Sequence, residues 1–237
     1  AKVSPTHTMG VMPADKTILY PSTLCSGDSL FVTIASSQAG VYYQVRNNSN
    51  ILLGAPALGN GGNITITGGK IFATGGFNIL ATHQTTNCSI QLSTTFTVGV
   101  NQSAICEAGG PDTVCQSTSP WIFTLSNASI GGAANQGAWS IVNGGGSLTT
   151  TSYTGSPASV QYSAVANYTG TVILKLTTNI PSNGCPAASK TRTIYVAPLP
   201  AVNAGANTIT CSGSPTQIGC SATSGYGYAW SPAAYLS

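Results

Sequence analysis

Cysteine recurs in this chain at intervals that point to a repeated building block. Cys25, Cys115 and Cys211 stand 90 and 96 residues apart, and each opens a polar turn: Cys25-Ser-Gly-Asp, Cys115-Gln-Ser-Thr and Cys211-Ser-Gly-Ser. The approach to the last two also matches, Ala108-Gly-Gly-Pro-Asp-Thr-Val-Cys115 lying over Ala204-Gly-Ala-Asn-Thr-Ile-Thr-Cys211. A second class repeats at 97 residues, in Thr86-Asn-Cys88 and Asn183-Gly-Cys185, each ahead of an alternating segment that closes a unit: Gln91–Val98 and Lys190–Val196. Self-similarity at a fixed period is the signature of a modular array.

An aromatic recurs between the two cysteine classes: Tyr42/Tyr43, then Trp139 in Gly137-Ala-Trp-Ser140, then Trp230 in Tyr228-Ala-Trp-Ser231. A unit of this size with a ring on a middle strand suits a β-sandwich. The expected organisation is therefore a module over residues 1–100, a second over 101–198, and the opening part of a third over 199–237. Linkers are expected near Gly99–Ala104 and Ala197–Ala204, the latter stiffened by Pro198 and Pro200. The chain starts at Ala1 without a leader-like segment, which predicts a mature or trimmed product or a piece of a longer chain; it stops just after its third aromatic segment, so either the parent chain continues or a partner supplies the missing strands.

Composition agrees with an all-β fold. Ser and Thr together supply 59 of 237 residues and only 5% are charged, so hydroxyls and amides keep the surface wet. Glu, Lys and Arg, the strong helix formers, are scarce, while β-branched and aromatic residues abound. Period-two alternation marks strands at Leu30–Ile34, Val41–Arg46, Asn63–Thr67, Phe77–His83 and Ile90–Val98, then at Trp121–Ser126, Ala138–Val142, Ala158–Ser163, Thr171–Thr177 and Thr191–Val196. Along each, Val, Ile, Leu and Phe face one way and Thr, Ser and Asn the other, as in a two-sheet sandwich.

Seven cysteines without a CxxC pair read as structural disulfides of an oxidising compartment. The simplest pairing is one staple per module, Cys25–Cys88 and Cys115–Cys185, each closing a loop worth about 4 kcal/mol in the chain-entropy model. Cysteine positions alone do not fix connectivity, and the partners of Cys106, Cys211 and Cys220 stay open.

Little in the chain can do chemistry. The acids are Asp15, Asp28, Glu107 and Asp112 and the histidines His7 and His83, too few and too scattered for paired carboxylates. A Ser–His–Asp set assembled from His83, Asp28 and any of the many serines carries no weight, and no Cys/His spacing suits zinc. Gly68-Gly-Lys70 fails as a phosphate loop, because Ile64 and Ile71 occupy the positions that need Gly and Ser/Thr. The net charge of +3 comes from scattered Lys and Arg, with no stripe to follow a phosphate backbone, so nucleic acid is not an expected partner. No apolar run is long enough to cross a membrane as a helix. No enzyme activity, metal or cofactor is expected. Six Asn-x-Ser/Thr sequons occur, at Asn47, Asn63, Asn87, Asn101, Asn127 and Asn167. Tyr42, Tyr43, Trp121, Trp139, Tyr226, Tyr228 and Trp230 have rings that can stack on sugars; Trp121, Trp139 and Trp230 are the candidate stacking residues, although core packing suits most of the set better.

The segments Ala108–Ser117, Leu125–Gly132 and Gly137–Gly146, with Ala204–Cys211 and Trp230–Ser237, resemble the PKD-like/Ig-like repeats of very large Bacteroidetes surface proteins. The first module resembles a sister repeat through Gly40–Asn48 and Phe77–Thr82. The resemblance implies export by the type IX secretion pathway, attachment to the outer membrane through regions not in this chain, and a role in an adhesin or surface filament, gliding-motility adhesins among them. It also implies O-glycosylation at Asp-Ser/Thr-aliphatic sequences, which Asp28-Ser29-Leu30 and Asp112-Thr113-Val114 match. The expected function is a non-enzymatic structural and adhesive repeat region, with surface glycans or neighbouring copies of the chain as partners. The alternative is a set of glycan-binding accessory modules from a secreted polysaccharide-degrading enzyme.

Overall fold

The computed structural model describes residues 10–211 continuously and residues 213, 214, 216–219, 221, 224, 225 and 227–231 beyond them. His7, Cys220 and Tyr226 lie outside the described residues.

The first half of the described chain carries strands β1 (Ile18–Leu19), β2 (Thr23–Cys25), β3 (Ser29–Ile34), β4 (Val41–Asn47), β5 (Leu52–Leu58), β6 (Ile64–Lys70), β7 (Gly75–His83), β8 (Ser89–Gln91) and β9 (Phe96–Asn101). They form two sheets, β1-β3-β6 and β2-β9-β7-β4-β5, with β8 on β7. The second half carries β10 (Ala104–Glu107), β11 (Asp112–Cys115), β12 (Ile122–Thr124), β13 (Ser129–Gly132), β14 (Gly137–Asn143), β15 (Ser147–Leu148), a 3-10 turn (Pro157–Ser159), β16 (Gln161–Ser163), β17 (Gly170–Thr178) and β18 (Ser189–Ala197). Here the main sheet is β11-β18-β17-β14, faced by β12-β16-β15 and the pair β10-β13. The architecture is all-β and sandwich-like in each half. In both halves a short early strand pairs in parallel with the last one, β2 with β9 and β11 with β18, while the neighbouring pairs are antiparallel.

Alternation builds the cores. Val41, Tyr43 and Val45 on β4 point inward while Tyr42 and Gln44 are half-buried, and Val172, Leu174 and Leu176 do the same on β17. One apolar cluster runs from Ile18 to Val98 and a separate one from Cys106 to Val196. The recurring ring is a core residue in both: Tyr43 is fully buried opposite Ala81 of β7, and Trp139 is fully buried opposite Leu176 of β17. Trp139 Nε1 donates to the Pro157 carbonyl at 3.0 Å and the Tyr43 hydroxyl accepts from the Gln38 amide at 2.9 Å, so each ring brings its polar atom inside with a partner. Burial pushes the Tyr43 phenol above its ordinary range.

Sequence periodicity and observed strands differ in several places: the short strands β1, β2, β10, β11, β13 and β15 have no expected counterpart, and the expected strand at Ala158–Ser163 begins as a 3-10 turn. β5 reads poorly as a strand because it is an outer strand, largely exposed, and carries Pro56 and Gly54. The single segment Ile90–Val98 is broken into β8 and β9 at Leu92–Thr95. Gly99–Asn101 and Ala104 are strand residues, so the linker expected near Gly99–Ala104 shrinks to Gln102 and Ser103. Past Ala197, the described residues carry no strand.

Candidate functional site: the stapled joint between modules

Parallel pairing gives each module two unlike poles. β2 runs beside β9 with Cys25 opposite Asn101, so Cys25 sits where the chain leaves the first module. β7 runs antiparallel to β9, which carries its end at His83 to the opposite pole, and Cys88 lies in the following turn, its carbonyl accepting from His83 N at 2.9 Å. The nine residues of β7 therefore separate Cys25 from Cys88 by about 25–30 Å at strand rise. The same polarity places Cys115, opposite Ala197 of β18, away from Cys185 in the β17–β18 loop.

The staples expected within each module are corrected accordingly. Cys25 is bonded to Cys185, with Cα atoms 5.7 Å apart and 160 residues of sequence between them, while Cys88 and Cys115 are free thiols, as are Cys106 and Cys211. Cysteines at opposite poles of one sandwich exceed the roughly 7 Å Cα limit for a disulfide, whereas the exit pole of the first module abuts the entry pole of the second.

Around this bond the joint is closed by polar contacts. Asn101 Nδ2 donates to the Asn183 carbonyl at 2.9 Å, and Asn183 Nδ2 donates to the Gln102 carbonyl at 2.9 Å. Ser26 N donates to the Asn101 carbonyl at 2.8 Å, and Ser103 Oγ donates to the Ser26 carbonyl at 3.0 Å. The loop that presents Cys185 is shaped by its own sequence. Asn183 Oδ1 accepts from Cys185 N at 3.1 Å, and Gly184 takes a φ of 83°, a left-handed conformation that glycine adopts at little cost. Asn179 ties the loop down, its Oδ1 accepting from Asn135 N and Gln136 N. On the other side Ala133 N donates to the Ser103 carbonyl at 3.1 Å; a side chain at Gly132 would meet that oxygen at 2.0 Å, so glycine there is what lets the connection lie so close. Cys185 is fully buried and Cys25 half-buried, so the bond is shielded on one side.

The remaining sequence candidates do not converge. Trp139 is 1% exposed and lies in the core, which removes it as a sugar-stacking surface. Trp121 is half-buried, edge-on to Phe123 and Tyr162 with centroids 6.1 Å away in each case. Trp230 is 44% exposed and lines a 210 Å³ cleft with Val202, Ile218 and Tyr228. Of the two glycosylation sequences, Thr113 is exposed on β11 and Ser29 is half-buried opposite Lys70. Asp28 is occupied locally, its Oδ2 accepting from Cys25 N at 3.1 Å. Among the described residues no group of three or more His, Cys, Asp or Glu side chains gathers to hold a metal, and no helix is long and apolar enough to cross a membrane. Cys106 packs within the second core, and burial pushes its thiol up.

Sequence reasoning missed two members of the site. Asn101 stands out in the sequence only as a sequon and Asn183 only within the Asn183-Gly-Cys185 repeat, yet their side chains reach across the joint.

No family model and no curated protein matches the chain. Solved structures with likeness include a chimeric titin Z1Z2 tandem, 13% identical with a TM-score of 0.32 over 76% of this chain and 99% of that one. The D0-D1 domain of intimin is 14% identical with a TM-score of 0.29 over 78% of this chain and 100% of that one. A Drosophila N-cadherin EC1-4 fragment is 9% identical with a TM-score of 0.33; the match covers 77% of this chain and spans 50% of the fragment.

Proposed function

We propose that this chain is a non-enzymatic repeat region of a large bacterial cell-surface protein, exported by the type IX pathway, that acts as a stiff spacer and adhesive stalk. The observation that carries this reading is the joint: a connection of Gln102 and Ser103, reciprocal amide contacts between Asn101 and Asn183, and the Cys25–Cys185 bond hold two modules in one orientation. A disulfide across modules belongs to an oxidising compartment. Its use is geometric, because neither cysteine belongs to an apolar core cluster and the bond fixes the angle between the modules. A gliding-motility adhesin or surface filament needs such transmission of force and position along its length. Neighbouring copies of the chain are the proposed partners, with O-glycosylation at Ser29 and Thr113. The glycan-binding accessory alternative loses Trp139, which is enclosed in the core, as a stacking surface.

The reading is tested on intact cells of the source with a membrane-impermeant amine reagent. Labelling of exposed Lys70 before lysis is expected; labelling that appears only after lysis overturns it. A glycan array on the isolated chain should stay blank for sites on residues 10–197, and binding abolished by Trp121→Ala would favour the accessory-module reading.

A further inference from the structure

The two free thiols at the outer poles occupy the same places as the two bonded ones. Cys25 ends β2 opposite Asn101, and the next residue, Ser26, donates its N–H to the Asn101 carbonyl at 2.8 Å. Cys115 ends β11 opposite Ala197, and the next residue, Gln116, donates its N–H to the Ala197 carbonyl at 2.8 Å. The outgoing chain stays beside it, with Leu199 N donating to Gln116 Oε1 at 3.0 Å. Cys115 is thus to the second module what Cys25 is to the first, and it is exposed.

The entry poles correspond as well. Cys185 Sγ lies 4.0 Å from the carbonyl of Asn101, on the chain that enters the second module. Cys88 sits in the equivalent β7–β8 turn, and the chain entering the first module passes over it. Thr86 Oγ1 donates to the Val11 carbonyl at 3.5 Å, and a side chain at Gly10 would come within 2.6 Å of Cys88 Sγ. Cys88 is half-buried and unbonded.

We infer that Cys115 and Cys88 are the open halves of the same staple, each bonding the complementary pole of a further module of this kind. Cys115 takes the loop cysteine of a following module, and Cys88 takes the exit-pole cysteine of a preceding one. Each module is then covalently clamped to both neighbours in one head-to-tail sense, and no module carries an internal staple. The inference goes beyond the spacer reading and stands independently of it, on the equivalence with Cys25–Cys185. Bond formation is exchange with an organic disulfide, RSSR. The first protein thiolate displaces one RS⁻ to give a mixed disulfide, the second displaces the other, and the two thiol protons leave with them, so one RSSR is reduced to two RSH per staple.

Disulfide mapping of protein isolated from its source, with free thiols alkylated before digestion and without reductant, tests this. The Cys115 peptide should be recovered joined to a peptide carrying an Asn-Cys or Asn-Gly-Cys loop. If that peptide is the Cys88 peptide the next module comes from a second copy, since the two lie at opposite ends of one molecule; if it lies outside this sequence the module belongs to a longer chain. The Cys88 peptide should be joined to one whose cysteine ends a short strand, as Cys25 and Cys115 do. Alkylated Cys115 or Cys88, a link from either to Cys106, a Cys115–Cys115 or Cys88–Cys88 link, or loss of the Cys25–Cys185 pair overturns the inference.

Discussion

Arg192 Nε donates to Asp112 Oδ2 at 2.7 Å inside the second module, joining β18 to β11 at the parallel pair. The guanidinium is almost wholly buried, its Nη1 donates to the Ser126 carbonyl at 2.6 Å, and it stands 5.1 Å above the Phe123 ring. Among the described residues no buried side-chain nitrogen or oxygen lacks a partner, the Arg192 guanidinium included. Removing the carboxylate strands a buried cation, so Asp112→Asn should cost about 3 kcal/mol, at the lower end for breaking a buried pair because Asp112 is partly exposed. Trp121 and Trp139 report it by fluorescence in urea once Trp230, the chain's third tryptophan, is replaced by Phe. An unchanged midpoint would show that the pair contributes nothing.

Reduction should loosen the joint while leaving the folds intact. Neither cysteine of the bonded pair belongs to an apolar core cluster. Dithiothreitol, or the pair of changes Cys25→Ser and Cys185→Ser, should broaden the distribution of end-to-end distances in small-angle scattering with far-UV circular dichroism unchanged. A chelator should do neither. A collapse of the dichroism on reduction would mean that the bond supports a module and not the angle between two.

The Asn183 side chain bonds at the joint twice, to the Gln102 carbonyl and to Cys185 N. Asn183→Ala should remove about 1 kcal/mol for each net hydrogen bond. Those contacts hold the two thiols together, so their loss lowers the effective concentration of one for the other. The equilibrium with dithiothreitol should shift toward the reduced form by about fivefold per bond lost. Quantifying alkylated Cys25 over a range of dithiol ratios checks this, and an unshifted curve removes the asparagine contacts from the account.

The sequence made the modular period legible because cysteines, rings and alternating strands repeat together, and Tyr43 and Trp139 are both buried where that period puts the ring. The disulfide partners were not legible. Spacing places Cys25 and Cys88 within one unit, but which pole each occupies depends on β2 pairing in parallel with β9, a long-range choice with no local pattern. β5 escaped for a related reason: an outer strand that exposes most of its residues has no alternation to show. The joint escaped because Asn101 and Asn183 are unremarkable polar residues until the fold brings them together.

Asp15 fastens the entering strand region to the break between β8 and β9. Its carboxylate accepts from Ser93 Oγ and from Ser93 N, the latter at 3.0 Å. The Ser93 hydroxyl bond, and then the Ser93 amide bond, hold the Asp15 carboxyl below the ordinary carboxylate range. A depressed folded value means the contact contributes fully above the unfolded value, near about 3.9, and is lost as pH falls through the lower folded one. The effect is local because the group is exposed. The Ser93 amide resonance should therefore hold steady on acidification to about pH 4 and titrate below that. Asp15→Asn should abolish the titration and leave the two cores unchanged. A Ser93 midpoint at or above the unfolded value would show that the carboxylate is not held by these bonds.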